Sequence, residues 1–359
     1  MKILAKILLS IFLTLSIVPL FACGSASYEH TFYAFNNTPI VVVTFDKDLT
    51  STQQNEISAY LTGLENEFSV NKNSFVKEIN DIGFSGEIEL SNTATEVFEK
   101  CKALYEFTNG KFNPAVFPLV KLWSFSPNYP VQSFTPPLES EIDAVLKSGS
   151  ISFSNFSLLN GKLSKLNPNS QIDFGGAVKG YAADGIASML LSYGIEKGYV
   201  SIGSSSLKIM NMSAISVKHP RADGLIFKVN LNSAQNYSVS TSGDYERFYD
   251  YDGKRYSHII DGETGYPSNT NVCSATIISS DGLSCDALST ALCLYPHDVN
   301  TPSNSALLEF ISQILASEDY QNSQIFVVYD DGENKQVITN KKQGEDFTLL
   351  DNSYSVLEI

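Results

Sequence analysis

Apolar positions along this sequence follow a strand period in some stretches and a helical period in others, with polar and glycine-rich breaks between them. Pro39 to Phe45 (PIVVVTF) is a β-branched run and reads as a strand. Ile57, Tyr60, Leu61, Leu64 and Phe68 recur at helical spacing behind Ser51 and Gln54, which resemble a capping box. Ala94 to Phe107 reads as a second helix, closed by Asn109-Gly110. Ser124 to Pro137 is rich in proline and serine and reads as a surface loop, followed by a short helix over Leu138 to Lys147. Phe156 to Leu166 folds back at Asn160-Gly161, a hairpin signal.

The second half repeats the mixture. Tyr181 to Leu191 reads as a helix and Tyr199 to Ile202 as a strand. Strand patterns follow at Ile215–Lys218, Ile226–Leu231, Tyr237–Ser240 and Val272–Ile278, the last feeding a helix over Leu283 to Leu294. A helix over Ser305–Leu315, a strand over Ile325–Tyr329 and an Asp331-Gly332 hairpin complete the pattern. No repeat of solenoid period and no low-complexity linker divides the chain. The expectation is a single α+β domain, mostly antiparallel sheet with flanking helices, in one or two lobes.

Composition changes the picture in one respect. Hydrophobic content of 43% and charged content of 18% suit a globular chain, but the net charge is −15. Nucleic acid and an anionic membrane surface are therefore poor partners. A phosphate-bearing ligand would need a local cation, either a metal or clustered Lys and Arg. Lys2 and Lys6 precede an apolar stretch from Ile7 to Phe21, too short for a comfortable membrane span, so residues 1–22 read as an export leader. Leu20-Phe21-Ala22-Cys23 resembles a bacterial lipobox with Cys23 as the lipidated residue; a plain secretory leader is the alternative. Residues 23–32, with Gly24-Ser25-Ala26-Ser27, form a tether and 33–350 the folded body. The expected location is the extracytoplasmic face of the cell membrane, held by acyl chains. Cys101, Cys273, Cys285 and Cys293 show neither zinc spacing nor a Cys-x-x-Cys pair; Cys101 and Cys293 read as small buried hydrophobes, and pairing stays open.

The chemistry concentrates in four ordered motifs. Ile172 to Asp184 (IDFGGAVKGYAAD) places Asp173, Gly175-Gly176, Lys179 and Gly180 ahead of a helix, where backbone amides and a lysine suit an anion. Ser240-Thr241-Ser242-Gly243-Asp244-Tyr245-Glu246-Arg247 and Ser257-His258-Ile259-Ile260-Asp261-Gly262-Glu263-Thr264-Gly265 follow. Cys285-Asp286-Ala287-Leu288-Ser289-Thr290-Ala291 comes last, with Asp286 and Thr290 on one helix face. That pair suits Mg²⁺ as hard oxygen ligands, and equally an aspartate near a helix start with a core threonine one turn on. His258 sits beside Arg255, Tyr256 and Asp261 and can act as a base, or as a strand histidine with a satisfied hydrogen bond. Trp123, the only tryptophan, reads as a core anchor.

In this order the motifs resemble the bacterial ApbE family, the FAD:protein FMN transferases, from about Tyr33 to about Leu294. The resemblance implies Mg²⁺ held by Asp286, Thr290 and the Gly176 carbonyl, with Ser289 as a further oxygen. It implies FAD contacts from Thr38, Asn71, Lys111, Phe112, Asn113, Asp173, Lys179, Ser242, Gly243, Asp261 and Thr264, and a base or phosphate-orienting role for His258. Asp286 and His258 would then carry catalysis, moving FMN onto a threonine of an exported electron-transfer flavoprotein with release of AMP.

Four departures from the family pattern stand out. Asn71 replaces an aromatic residue, Asn113 an aspartate, Gly262 a proline, and Gly203-Ser204-Ser205-Ser206 a Gly-Gly turn. Asn71 keeps open a Mg²⁺-dependent FAD pyrophosphatase giving FMN and AMP, since an amide shields the reacting phosphorus from water less well than a ring. A surface flavin-binding lipoprotein without turnover is the remaining alternative.

Overall fold

The computed structural model describes residues 17–19 and 27–359, apart from Ile82, Pro127, Asn128, Pro302 and Ser303. Most of the expected leader, and Cys23 with it, lies outside the described residues; Ile17–Pro19 runs as a short strand antiparallel to Ala214–Lys218.

A nine-stranded sheet organises the fold. Its strands are β1 (Tyr28–Ala34), β2 (Thr38–Thr44), β3 (Gly198–Ile202), β4 (Ser206–Met210), β5 (Asn236–Gly243), β6 (Val272–Ser279), β7 (Gln324–Asp330), β8 (Lys335–Thr339) and β9 (Ser355–Glu358). They lie side by side in that same order, every pair antiparallel except β8 with β9. The sheet thus takes in residues on both sides of the 33–350 body expected from sequence. The architecture is α+β and mostly antiparallel, as the pattern predicts.

Each face of the sheet is covered, and β2 shows how. Ile40 and Val42 point into the core formed with the helices, whereas Val41 and Val43 point into a second core. That second core is closed by a smaller sheet of Ala214–Lys218, Leu225–Asn230 and Phe347–Leu349. A strand buried on two faces needs no polar alternation, which is why PIVVV reads as an unbroken apolar run. The helices on the other face include α1 (Ser51–Phe68), α2 (Asn92–Phe107), α3 (Val178–Ser192), α4 (Gly282–Leu292) and α5 (Ala306–Ala316). Among the described residues no helix is long and apolar enough to cross a membrane.

Local signals place many of these elements to within a residue or two, but α3 begins three residues before the expected Tyr181, and β1, β4 and β9 are strands that the sequence pattern does not announce. The capping box of α1 is formed by Thr50 and Gln53, one residue earlier than the Ser51 and Gln54 expected; Gln54 instead donates to the Leu49 carbonyl. Asn109 and Gly110 (φ 49° and 77°) end α2 in the left-handed region. Asn160 and Gly161 (φ 52° and 76°) make the expected tight hairpin between Phe156–Leu159 and Lys162–Lys165. A hairpin of Phe248–Tyr251 with Lys254–Ser257 was not foreseen, although Asp252-Gly253 (φ 50° and 73°) carries its turn signal. It packs on a third, aromatic cluster around Trp123, whose indole Nε1 donates to the Gly265 carbonyl at 2.8 Å. Trp123 is a core anchor. The four described cysteines are all buried free thiols.

Candidate functional site

The site is built where the first turns of α3 and α4 meet. The segment entering α3 is fixed by Asn80, whose buried side chain accepts the Ile172 N–H and donates to the Ile172 carbonyl, both at 2.7 Å. Asp173 then turns onto its own loop, accepting the Gly175 N–H at 2.8 Å. Enclosure raises its carboxyl above the usual range, while that N–H and the Arg247 charge pull the other way. The N-cap residue Ala177 offers α3 no side-chain cap, and with the Val178 N–H on the Phe174 carbonyl at 3.0 Å the Lys179 and Gly180 amides are left for other partners.

One of those amides goes to Asp286. Gly180 N–H donates to Asp286 Oδ2 at 2.8 Å, and the Ser206 hydroxyl donates to Oδ1 at 2.7 Å. This requires α3 and α4 to touch backbone to backbone. A Cβ on Gly180 would stand 2.0 Å from the Gly282 carbonyl oxygen, and one on Gly282 would stand 2.4 Å from the Gly180 carbonyl oxygen. Asp184 fastens the crossing from below, accepting the Gly282 N–H at 2.6 Å. Asp286 itself is only 4% exposed, and burial raises its carboxyl despite the nearby Lys179 charge and the donors upon it.

Hydroxyls surround this carboxylate. Thr290 and Ser289 both donate to the Asp286 carbonyl, at 2.9 and 3.1 Å, so their oxygen lone pairs remain available. Ser242 lies 2.9 Å from Ser289 and 3.1 Å from Thr290. Among the described residues no three His, Cys, Asp or Glu side chains cluster as a metal centre. The donors here are one carboxylate and several hydroxyls, a set that fits a hard cation such as Mg²⁺ and would offset the cost of burying the anion. Gly176 lies exposed in the turn before α3.

Lys179 donates to the Ser205 hydroxyl. Burial lowers its ammonium pKa; Asp286 and Glu246 oppose this and Arg247 adds to it. Ser204 donates to Glu246 Oε2 at 2.6 Å. The three serines that replace the family's Gly-Gly turn therefore serve Glu246, Lys179 and Asp286 in succession. Sequence reading missed them as site residues, and their run of hydroxyls was the available signal. Thr38 backs the turn: its Cγ2 would meet a Cβ on Gly203 at 3.3 Å, while its hydroxyl donates to the Phe35 carbonyl at 2.9 Å.

His258 places its Nδ1 3.2 Å from the Arg247 carbonyl. A carbonyl only accepts, so Nδ1 carries the proton and Nε2 the lone pair. Burial, then the charges of Arg247 and Lys179, push the imidazole down to about 3. The ring is neutral at physiological pH.

Other expected contacts serve different ends. Lys111 pairs with Asp261 at 2.8 Å and Glu263 at 3.2 Å, and these bonds outweigh burial to raise its ammonium. Phe112 is 4% exposed and packs in the core. Asn113 caps a short turn by accepting the Ala115 N–H at 2.9 Å. A Cβ on Gly243 would strike the Tyr245 ring at 2.5 Å. Thr264 is exposed, and with Asp261 it borders a cavity of about 280 Å³ that also takes in Tyr266, Ser268 and Thr270. Asn71 sits exposed on the loop between α1 and the helical turn Phe75–Ile79, its backbone N–H on the Ser69 hydroxyl at 3.1 Å.

The sequence pattern of the ApbE family matches residues 30–302. The chain belongs to the ApbE family. It is 30% identical over 247 residues to the FAD:protein FMN transferase of Vibrio cholerae, covering 67% of this chain and 72% of that one. With the FAD:protein FMN transferase of Klebsiella pneumoniae it shares 29% identity over 287 residues, 79% and 83% of the two chains. The ApbE protein of Thermotoga maritima superposes with a TM-score of 0.70 at 30% identity, over 85% of this chain and 95% of that one. The flavin transferase ApbE of Vibrio cholerae gives 0.74 at 22% identity, over 88% and 97%, a likeness of fold. Two departures from the ApbE pattern meet in space: a Cβ on Gly262 would lie 3.0 Å from the Asn113 amide nitrogen.

Proposed function

We propose that this chain is a Mg²⁺-dependent FAD:protein FMN transferase that moves FMN from FAD to a threonine of an exported flavoprotein and releases AMP. Transfer rests on ApbE membership and the named relatives. The observation that carries the finer reading is the junction of α3 and α4, where the first turn of α3, Lys179 and the buried Asp286 meet a group of hydroxyls. Asp286, Ser289, Thr290 and the Gly176 carbonyl would hold Mg²⁺, which when bound neutralises pyrophosphate charge. Lys179 would bind phosphate oxygens through its ammonium and its own backbone N–H. His258 Nε2 takes the proton of the attacking threonine hydroxyl; the new bond joins that oxygen to the FMN phosphorus, and the bond to AMP breaks. The reading includes a lipid on Cys23 and work on the extracytoplasmic face of the cell membrane. Incubation with FAD, Mg²⁺ and a threonine-bearing acceptor should add the mass of FMN to the acceptor and yield equal AMP; an unmodified acceptor sinks the proposal.

The histidine sets a pH expectation. With a folded value near 3, His258 stays in its basic form throughout the neutral range, so kcat/KM should show no acid limb near 6.5. The unfolded chain binds this proton first. Its contribution to stability is therefore present above about pH 6.5 and is lost as pH falls toward 3. A profile bending at 6.5 that vanishes in His258→Gln would show an ordinary, exposed imidazole.

Asn71 favours a second reading, hydrolysis of FAD to FMN and AMP, because its exposed amide offers no ring to exclude water. Asn71→Tyr should shift partitioning from free FMN to acceptor-bound FMN several-fold, about 1 kcal/mol. Chromatography of free FMN beside mass spectrometry of the acceptor measures it. Equal ratios in both forms would remove Asn71 from control of water.

A further inference from the structure

The sequence contains three arginines, and two of them are committed. Arg221 grips Asp244 with both terminal nitrogens, at 2.7 and 2.6 Å. Arg255 lies 3.9 Å above the Phe248 ring and reaches Asp250 at 3.4 Å. Arg247 differs. Its guanidinium is exposed and makes no hydrogen bond or ion pair among the described residues.

Its backbone, by contrast, is held from three directions. The Arg247 carbonyl accepts from the His258 backbone N–H at 3.0 Å and from the ring Nδ1 at 3.2 Å. Glu246 on one side is bonded by Ser204, next to the serine that holds Lys179. Phe248 on the other donates its N–H to the Tyr129 hydroxyl at 3.1 Å. Arg247 therefore stands between His258, which its carbonyl holds, and the serine turn that holds Lys179, and its charge bears on Asp173, Lys179 and His258 alike. Two cations thus face one region of a protein whose net charge is −15. A planar fork with five free donors on a fixed backbone is the geometry that takes phosphate oxygens in pairs.

We propose that Arg247 is a substrate-binding residue whose guanidinium takes the phosphate oxygens of a pyrophosphate-linked dinucleotide opposite Lys179, so that the site prefers the dinucleotide to the unphosphorylated flavin. This rests on the proposed function, and it names the residue that gives that preference. The test compares Arg247→Gln and Arg247→Lys with the wild-type chain, measuring melting temperature, KM for FAD at saturating Mg²⁺, and dissociation constants for FAD and riboflavin by flavin fluorescence. Because the side chain is exposed and unpaired, both variants should melt with the wild type. Arg247→Gln should weaken FAD about ten- to a hundredfold in KM and in binding, leaving riboflavin unchanged. Arg247→Lys should recover only part, since an ammonium cannot fork. FAD constants unchanged in Arg247→Gln, or FAD and riboflavin weakened alike, would overturn the assignment. A wild-type chain that neither cleaves nor transfers FAD would overturn the proposed function instead.

Discussion

Asp286→Asn should lose at least about 10²–10³-fold in FAD turnover while the protein folds at least as stably as wild type. The two halves of this expectation have one cause. Asn keeps the size of the side chain and an oxygen for the Gly180 N–H, so the junction of α3 and α4 is preserved. It removes a negative charge from a position only 4% exposed, where burial already raises the carboxyl and only Lys179 is a nearby counter-charge. The folded chain is relieved of a buried anion, and the Mg²⁺ site proposed above loses its carboxylate. AMP release from FAD across a Mg²⁺ titration, with a thermal melt of the same sample, reads both. Turnover at the wild-type rate would place the metal elsewhere; a collapsed melt would make Asp286 a structural residue.

The largest expected loss of stability comes from Gly180→Ala. The added carbon would stand 2.0 Å from the Gly282 carbonyl oxygen, and backbone cannot swing aside as a side-chain tip can. The helices must separate, which costs about 3 kcal/mol or more by the overpacking scale and lowers the melting temperature by about 5–10 °C. Separation also lengthens the 2.8 Å bond from Gly180 to Asp286, so turnover should fall together with stability. Gly282→Ala should act in the same sense, with its carbon 2.4 Å from the Gly180 carbonyl oxygen. A variant that melts and turns over like wild type would mean that the crossing is not close-packed.

The fold was legible in sequence wherever one segment carries its own signal. The apolar run of β2, the Asn109-Gly110 stop and the Asn160-Gly161 hairpin need no distant partner to be recognised. Boundaries slipped where adjacent residues offer equivalent chemistry, as with Thr50 and Ser51 at the start of α1. The site was legible as a set of motifs but not as a network. Lys111 and Asp261 look like separate ligand contacts in sequence, yet 150 residues apart they bond to each other. The serine run looked like a lost glycine turn, because only the folded chain shows three charged groups waiting for three hydroxyls. Asn113 and Gly262, 149 positions apart in sequence, are neighbours in the fold, since a Cβ on Gly262 would lie 3.0 Å from the Asn113 amide nitrogen.

The first strand of the sheet begins at Tyr28, earlier than the sequence pattern placed the folded body. With an acyl anchor on Cys23, five residues, Cys23 to Ser27, would separate lipid from fold. Fully extended, such a leash reaches about 17 Å, less than the width of the body it holds. The enzyme would then roll on the membrane rather than roam above it, and an acceptor would have to present its threonine within a thin layer at the surface. Lengthening the segment after Cys23 with glycine and serine would widen that layer, and a soluble acceptor would gain more from it than a membrane-bound one.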